Sequence, residues 1–199
     1  MAKQLIATDI DDVLAANAEG FVAFSNQQWG MNLRPEDYSE QWAKVWQVDV
    51  AEVDRRSKIF HESQVVATYR HLPDGVAALE RLKQDYDIVA VTSRQLTIRD
   101  STRDWLDKYY GGIFDDVVFA GIFDGAFADD LHLRTKADVF RRLKPAYVID
   151  DQLKHCAAAA DLGIKTVLFG DYPWNQVDEL PPGVTRCRDW AAVEEYFDA

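Results

Sequence analysis

At 199 residues the chain is long enough for one good hydrophobic core, or for a core domain with a smaller insertion. Nearly half of it is apolar (48%), and a formal charge of −12 argues against duplex DNA or RNA as a main partner, because the counterion release that a basic surface supplies is lacking. A small anionic substrate remains compatible with that charge if cations are placed locally. Cys156 and Cys187 are too few and too isolated for a disulfide framework or a zinc site. The N-terminus enters a strand pattern at once and no apolar run approaches bilayer length, so the expectation is a cytoplasmic protein with no membrane partner.

Five short runs rich in β-branched or aromatic residues read as strands: Gln4–Ile10, Ile88–Thr92, Val117–Ala120, Ala146–Ile149 and Thr166–Phe169. Their near-continuous apolar character suits parallel strands covered on both faces. The first run leads directly into Thr8-Asp9-Ile10-Asp11-Asp12, three acids in four residues. The region from Ala15 to Leu72 is far longer than one crossover helix needs. It carries Phe21, Phe24, Trp29, Trp42, Val45, Trp46, Ile59 and Phe60 at mostly helical spacings, which predicts a small all-helical subdomain over 15–72. Pro73-Asp74-Gly75 reads as the turn that closes it.

Helical spacing then separates the later strands. Val76, Leu79 and Leu82 share a face before the second strand, as do Ile98, Trp105 and Leu106 after it. Val139, Phe140 and Leu143 precede the fourth strand, and Leu153, Ala157 and Ala160 follow it. Thr97-x-x-Asp100 and Thr135-x-x-Asp138 read as helix starts of the capping-box type. Pro181-Pro182-Gly183 reads as a turn before a last helix with Trp190, Val193 and Phe197 on one face. Alternating strands and helices predict an α/β fold: a three-layer, Rossmann-like, doubly wound parallel sheet, here with an inserted all-helical cap.

Uncompensated carboxylates at the end of a buried strand are costly. By themselves Asp9 and Asp11 fit a divalent-cation site, a nucleophile with an acid/base neighbour, or an acidic turn after an edge strand. The other strand ends bear on the choice, since ligands of a doubly wound sheet bind beyond the carboxyl ends of its strands. There the second strand ends in Thr92-Ser93-Arg94 and the fourth in Asp150-Asp151, while Lys136 opens the helix before the fourth. Acids, hydroxyls and a lysine at one edge are what phosphoryl transfer to a carboxylate needs.

That order of motifs resembles the haloacid dehalogenase superfamily of phosphatases over essentially the whole chain. The resemblance implies a catalytic core over 1–14 and 73–199 with a helical C1-type cap over 15–72. It implies that Asp9 is the nucleophile, forming an aspartyl-phosphate, and that Asp11 is the general acid/base. Thr92, Ser93 and Lys136 would bind phosphate. Mg²⁺ would be held by Asp9, the Asp11 backbone carbonyl, Asp150 and Asp151, the last directly or through water. Arg94 is a candidate for contact with a substrate anion.

Within the superfamily, the cap placement and the Asp-Ile-Asp-Asp-Val-Leu and Thr-Ser-Arg motifs look most like the 5′(3′)-deoxyribonucleotidase-like branch, whose members carry proline where Arg94 stands. The implied substrate is a small phosphorylated metabolite, a nucleoside monophosphate, with no nucleic-acid polymer as partner. The alternatives are a phosphatase for sugar phosphates or phosphoglycolate, and a catalytically idle binding protein on the same fold. Trp29, Tyr38, Trp42 and Trp46 could stack a base, although an aromatic stripe at helical spacing is more often core.

Overall fold

The computed structural model describes residues 2–121 and 135–198. Among these, six strands form one all-parallel sheet: β1 (Gln4–Thr8), β2 (Tyr86–Thr92), β3 (Asp116–Phe119), β4 (Tyr147–Asp150), β5 (Lys165–Phe169) and β6 (Val184–Cys187), in the spatial order β3-β2-β1-β4-β5-β6. The chain winds one way from β1 to β3 and then returns to the other side of β1 with β4. The switch point of this doubly wound sheet therefore lies between β1 and β4.

Successive residues of each strand face opposite layers, as a pleat requires. Ile6, Ile88, Ala90, Ile149 and Val167 pack with residues of helices α4 (Pro73–Leu82), α5 (Arg99–Tyr110) and α8 (Trp190–Asp198), among them Leu79, Trp105 and Val193. Their neighbours Ala7, Val89, Val91 and Val148 pack with Val139 and Phe140 of α6 (Lys136–Leu143) and Ala159 of α7 (Leu153–Ala160). Each fully buried Ile or Val contributes about 1.5–3 kcal/mol, which is why strands buried on both faces read as unbroken apolar runs.

Three details differ from the sequence reading. β6 is a further strand that pairs with β5. Its four residues, Val184 to Cys187, are buried only at the two ends, so the apolar run is too short to announce a strand. Pro73-Asp74-Gly75 starts α4 instead of closing a turn, with Pro73 in the first helical turn, where its missing N–H costs nothing. Thr97 does not cap α5. A short 3-10 turn, Leu96–Ile98, leads into that helix, and the Thr97 hydroxyl turns to Gln95. At α6 the pattern forms as read: the Thr135 hydroxyl accepts the Asp138 N–H (3.1 Å), and the Asp138 carboxylate accepts the Thr135 N–H (3.1 Å).

Between β1 and α4 lie α1 (Asn17–Trp29), α2 (Trp42–Trp46) and α3 (Val50–Glu62). They pack through aromatic rings. Phe21 stacks on Trp46 (5.3 Å, 12°) and meets Phe60 and Trp42 at 5.5 and 5.1 Å. The buried Trp46 indole donates to the Ser25 hydroxyl at 2.9 Å. The segment leaves and re-enters the sheet region side by side: Ala16 N–H donates to Arg70 O (2.9 Å) and Leu72 N–H to Leu14 O (2.7 Å). The Tyr110 hydroxyl reaches both Leu14 O (3.0 Å) and Leu72 O (2.9 Å).

Candidate active site

β1 ends one residue before Asp9, whose N–H still donates to Ile149 O (2.9 Å), and β4 ends at Asp150. Register pairs Thr8 with Ile149, so Asp9 and Asp150 emerge side by side at the switch point. Asp9 and Asp150 are both buried, 6% and 1% exposed. Lys136, 2% exposed at the first position of α6, lies between them: its ammonium is 2.8 Å from Asp9 Oδ2 and 2.7 Å from Asp150 Oδ2. The Thr135 cap fixes where that helix begins, and so where the lysine sits.

Asp151 completes the cluster. Its Oδ2 accepts the Trp174 indole N–H at 2.6 Å and the Gln152 side-chain amide at 2.8 Å. Trp174 stacks on Tyr172 (4.6 Å, 5°), and the Tyr172 hydroxyl donates to Asp12 O at 2.8 Å. This packing needs Gly170, since a Cβ there would come within 2.1 Å of the Tyr172 ring and φ is +83°. Nothing beyond its place after the fifth strand marked Trp174 in the sequence; an indole hydrogen bond has no motif.

Asp12 is structural, as its position after the acid pair suggests. It adopts φ 55° and accepts the Ala18 N–H (2.9 Å) and the Asn17 side-chain amide (3.2 Å), steering the chain into α1. Ile10 is fully buried between the two acids. Asp11 is more open, with 28% of its side chain exposed, and it forms an ion pair with Arg94 (2.7 Å). Of the two hydroxyl candidates, Thr92 is fully buried and its Oγ1 accepts the Arg94 N–H at 3.1 Å. Ser93 lines the cavity described below, and its buried Oγ has no hydrogen-bond partner among the described residues.

These groups floor a cavity of about 310 Å³. Asp9, Asp11, Ser93, Lys136 and Asp151 face it from the sheet edge, and Tyr38, Trp42, Phe60 and His61 from the helical segment. Trp46 is packed in the core and Trp29 packs against it (4.8 Å), so the aromatic stripe divides: two indoles are structural and Trp42 is left at the cavity. Half-buried His155 on α7 also lines it, and burial pushes its imidazole down to about 4, which leaves it neutral near pH 7.

Burial dominates the electrostatics. It pushes the Asp9 carboxyl up to about 7 against the opposing pull of Lys136. Burial first, and then the neighbouring Asp150, raise Asp151 well above the ordinary carboxylate range. For Lys136 burial works against the charge, but Asp150 and Asp9 outweigh it and hold the ammonium protonated. Asp9, Asp150 and Asp151 each offer an oxygen within 4.8 Å of the others. With one ammonium among three carboxylates the site is short of positive charge. Oxygen donors around Mg²⁺ bind at about 2.1 Å and so lie at most about 4.2 Å apart, so these three carboxylates would draw together slightly on a bound ion. The donor set is all oxygen and anionic, and it fits a hard divalent cation.

The family model described as 5′ nucleotidase, deoxy (pyrimidine), cytosolic type C protein matches residues 3–196. The chain belongs to this family. It is a phosphatase on the haloacid dehalogenase fold, and the family match runs through every element that builds the site. A haloacid dehalogenase-like hydrolase of Streptococcus pneumoniae superposes with a TM-score of 0.74 at 14% identity, covering 98% of both chains. The HAD-hydrolase YfnB of Bacillus subtilis, bound to magnesium, superposes at 0.64 and 15% identity over 100% of both. An uncharacterized 32.4 kDa protein of phage T4 is 24% identical over 208 residues, 96% of this chain and 69% of that protein. No helix among the described residues is long and apolar enough to cross a membrane.

Proposed function

We propose that the protein is a Mg²⁺-dependent phosphomonoesterase acting on nucleoside 5′-monophosphates in the cytoplasm, with the helical segment over 15–72 as its cap. The observation that carries this reading is the Asp9–Lys136–Asp150 chain at the switch point, placed under a cavity with one charged and one aromatic wall. Family membership supports a nucleotide as the substrate.

Asp9 is the nucleophile in this reading. A carboxylate oxygen attacks phosphorus, the ester P–O bond breaks, and Asp11 gives its proton to the departing alkoxide. Water then attacks the aspartyl-phosphate, Asp11 takes the water proton, and the acyl P–O bond breaks. Inorganic phosphate leaves and Asp9 is regenerated. Lys136 neutralises Asp9 and the incoming phosphate, and the Ser93 hydroxyl, which lines the cavity, is available to a phosphate oxygen, while fully buried Thr92 lies outside the cavity lining and holds the Arg94 N–H. Mg²⁺ held by Asp9, Asp150 and Asp151, with the Asp11 carbonyl, would supply charge stabilisation on the phosphate. The aromatic wall of Tyr38, Trp42 and Phe60 would take the base.

The test is phosphate release from a panel of deoxynucleoside and ribonucleoside monophosphates, sugar phosphates and phosphoglycolate, with Mg²⁺ and with EDTA. Nucleoside monophosphates are expected to be the best substrates, and EDTA to abolish turnover; a preference for phosphoglycolate would reject the nucleotide assignment. Asp9→Asn is expected to lose at least about 10³-fold in turnover while melting as a folded protein. Undiminished turnover in that variant would remove the nucleophile.

A further inference from the structure

Arg94 follows Thr92-Ser93 at the end of β2 and pairs with Asp11. Its side chain is 3% exposed and lines the cavity beside Asp11, which is 28% exposed. The guanidinium forms a fork on the carboxylate: Nη2 donates to Oδ1 at 2.7 Å, and Nε lies 3.2 Å from Oδ1 and 3.1 Å from Oδ2. Its remaining terminal nitrogen, Nη1, donates to the Thr102 hydroxyl of α5 at 3.3 Å. That hydroxyl is itself fixed by donating to Ile98 O at 2.8 Å.

The guanidinium also packs over the Tyr69 ring, 5.8 Å from its centroid, and the Trp105 indole fixes that residue by donating to Tyr69 O at 2.9 Å. Tyr69 has its place because residue 20 is glycine: a Cβ there would lie 2.2 Å from the ring. Arg94 is thus held on its own strand end by Thr92, from α5 by Thr102, and from the helical segment by Tyr69. Its Nε–Nη2 edge, the one that would grip a phosphate, is already on Asp11.

We infer that Arg94 is a positioning residue for Asp11, holding the acid/base carboxylate at the cavity wall, and that it does not contact the substrate phosphate. This rests on the proposed general-acid role of Asp11. Two oxygens gripped by a planar fork leave the carboxylate little freedom to turn, which a single-point ammonium cannot reproduce. The carboxylate presented from this clamp lines the cavity. Without the clamp it samples other rotamers and the proton is delivered less often.

The experiment uses two esters, a nucleoside 5′-monophosphate, whose alkoxide must be protonated as it leaves, and p-nitrophenyl phosphate, whose weakly basic phenolate need not be. kcat/KM covers the steps up to that departure. In Asp11→Asn the loss is expected to fall on the nucleotide, with the aryl ester largely spared. In Arg94→Met the same selectivity is expected at smaller size, about 10–100-fold on the nucleotide out of the about 10²–10⁴-fold that acid–base catalysis supplies. Arg94→Lys should fall between wild type and Arg94→Met, and carries the test alone if Arg94→Met does not fold.

The double variant Asp11→Asn/Arg94→Met should show no selective loss beyond that of Asp11→Asn. Equal losses on both esters in the Arg94 variants, with raised KM and weaker inhibition by inorganic phosphate, would overturn the inference in favour of a phosphate-binding arginine. So would unchanged kcat/KM on the nucleotide. If Asp11→Asn itself shows no selectivity between esters, the general-acid role fails and the positioning role falls with it. Selectivity in Asp11→Asn but not in the Arg94 variants rejects the positioning role alone.

Discussion

The two walls of the cavity are built by different physics. On the sheet side, backbone register puts Asp9 beside Asp150, and ion pairs at 2.7–2.8 Å join both to one buried lysine. On the helical side, Trp42, Phe60 and His61 are held by ring contacts of 5.5–5.8 Å and by the general packing of short helices. Moving a strand-end carboxylate means breaking a sheet; moving an indole means choosing another rotamer. The first wall is fixed by the sheet, and the second by side-chain packing, which varies more readily.

The sheet-side wall depends most on Lys136. Replacing it with methionine leaves Asp9 and Asp150 buried without their cation. Urea unfolding is expected to show a loss of about 3–5 kcal/mol, and phosphate release a fall of about 10²–10³-fold. A variant that keeps its stability would mean that the ion pairs do not define this wall.

The helical wall should respond differently. Trp42→Leu is expected to raise KM for a nucleoside monophosphate by about 2–10-fold, the worth of one aromatic contact, with kcat changed less. Steady-state kinetics on one nucleotide decide it, and a fall in kcat at constant KM would show that the aromatic wall takes part in the chemistry. The smallest effect belongs to the ion pair between Glu40 and Lys154, which joins the two sides at the surface. Glu40→Gln should cost no more than about 1 kcal/mol, as exposed pairs do, and that cost should fade in salt. A larger, salt-resistant loss in thermal unfolding would mark the pair as a structural strut between the walls.

The same contrast explains what could be read from the chain. Asp9, Asp11, Lys136 and Asp150-Asp151 are legible because each directly follows or opens an element whose apolar pattern is strong, so its place in space follows from topology. The Thr135 capping box is legible because both partners sit three residues apart. Trp174 on Asp151, Arg94 on Asp11 and Tyr69 beside Gly20 are not, because each pairs residues 23 to 83 positions apart whose meeting depends on packing. Thr97 shows the converse: a capping pattern in the sequence whose threonine sits inside a 3-10 turn and turns its hydroxyl to Gln95. β6 escapes because an edge strand of four residues needs little apolar surface.

The doorway at Leu14 and Leu72 has a consequence for how such a molecule can change over time. The segment from Ala16 to Arg70 departs and returns through two chain passages one hydrogen bond apart, both clasped by the Tyr110 hydroxyl. For the sheet, everything beyond that clasp is a single closed loop. Doubling the length of such a loop adds only about 0.6 kcal/mol of closure entropy. Helices that do not carry Tyr69 or the Asn17–Ala18 contacts to Asp12 can therefore be lengthened, exchanged or rebuilt beyond Tyr110 while Asp9 and Asp150 keep their positions, so one floor can be fitted beneath many different ceilings.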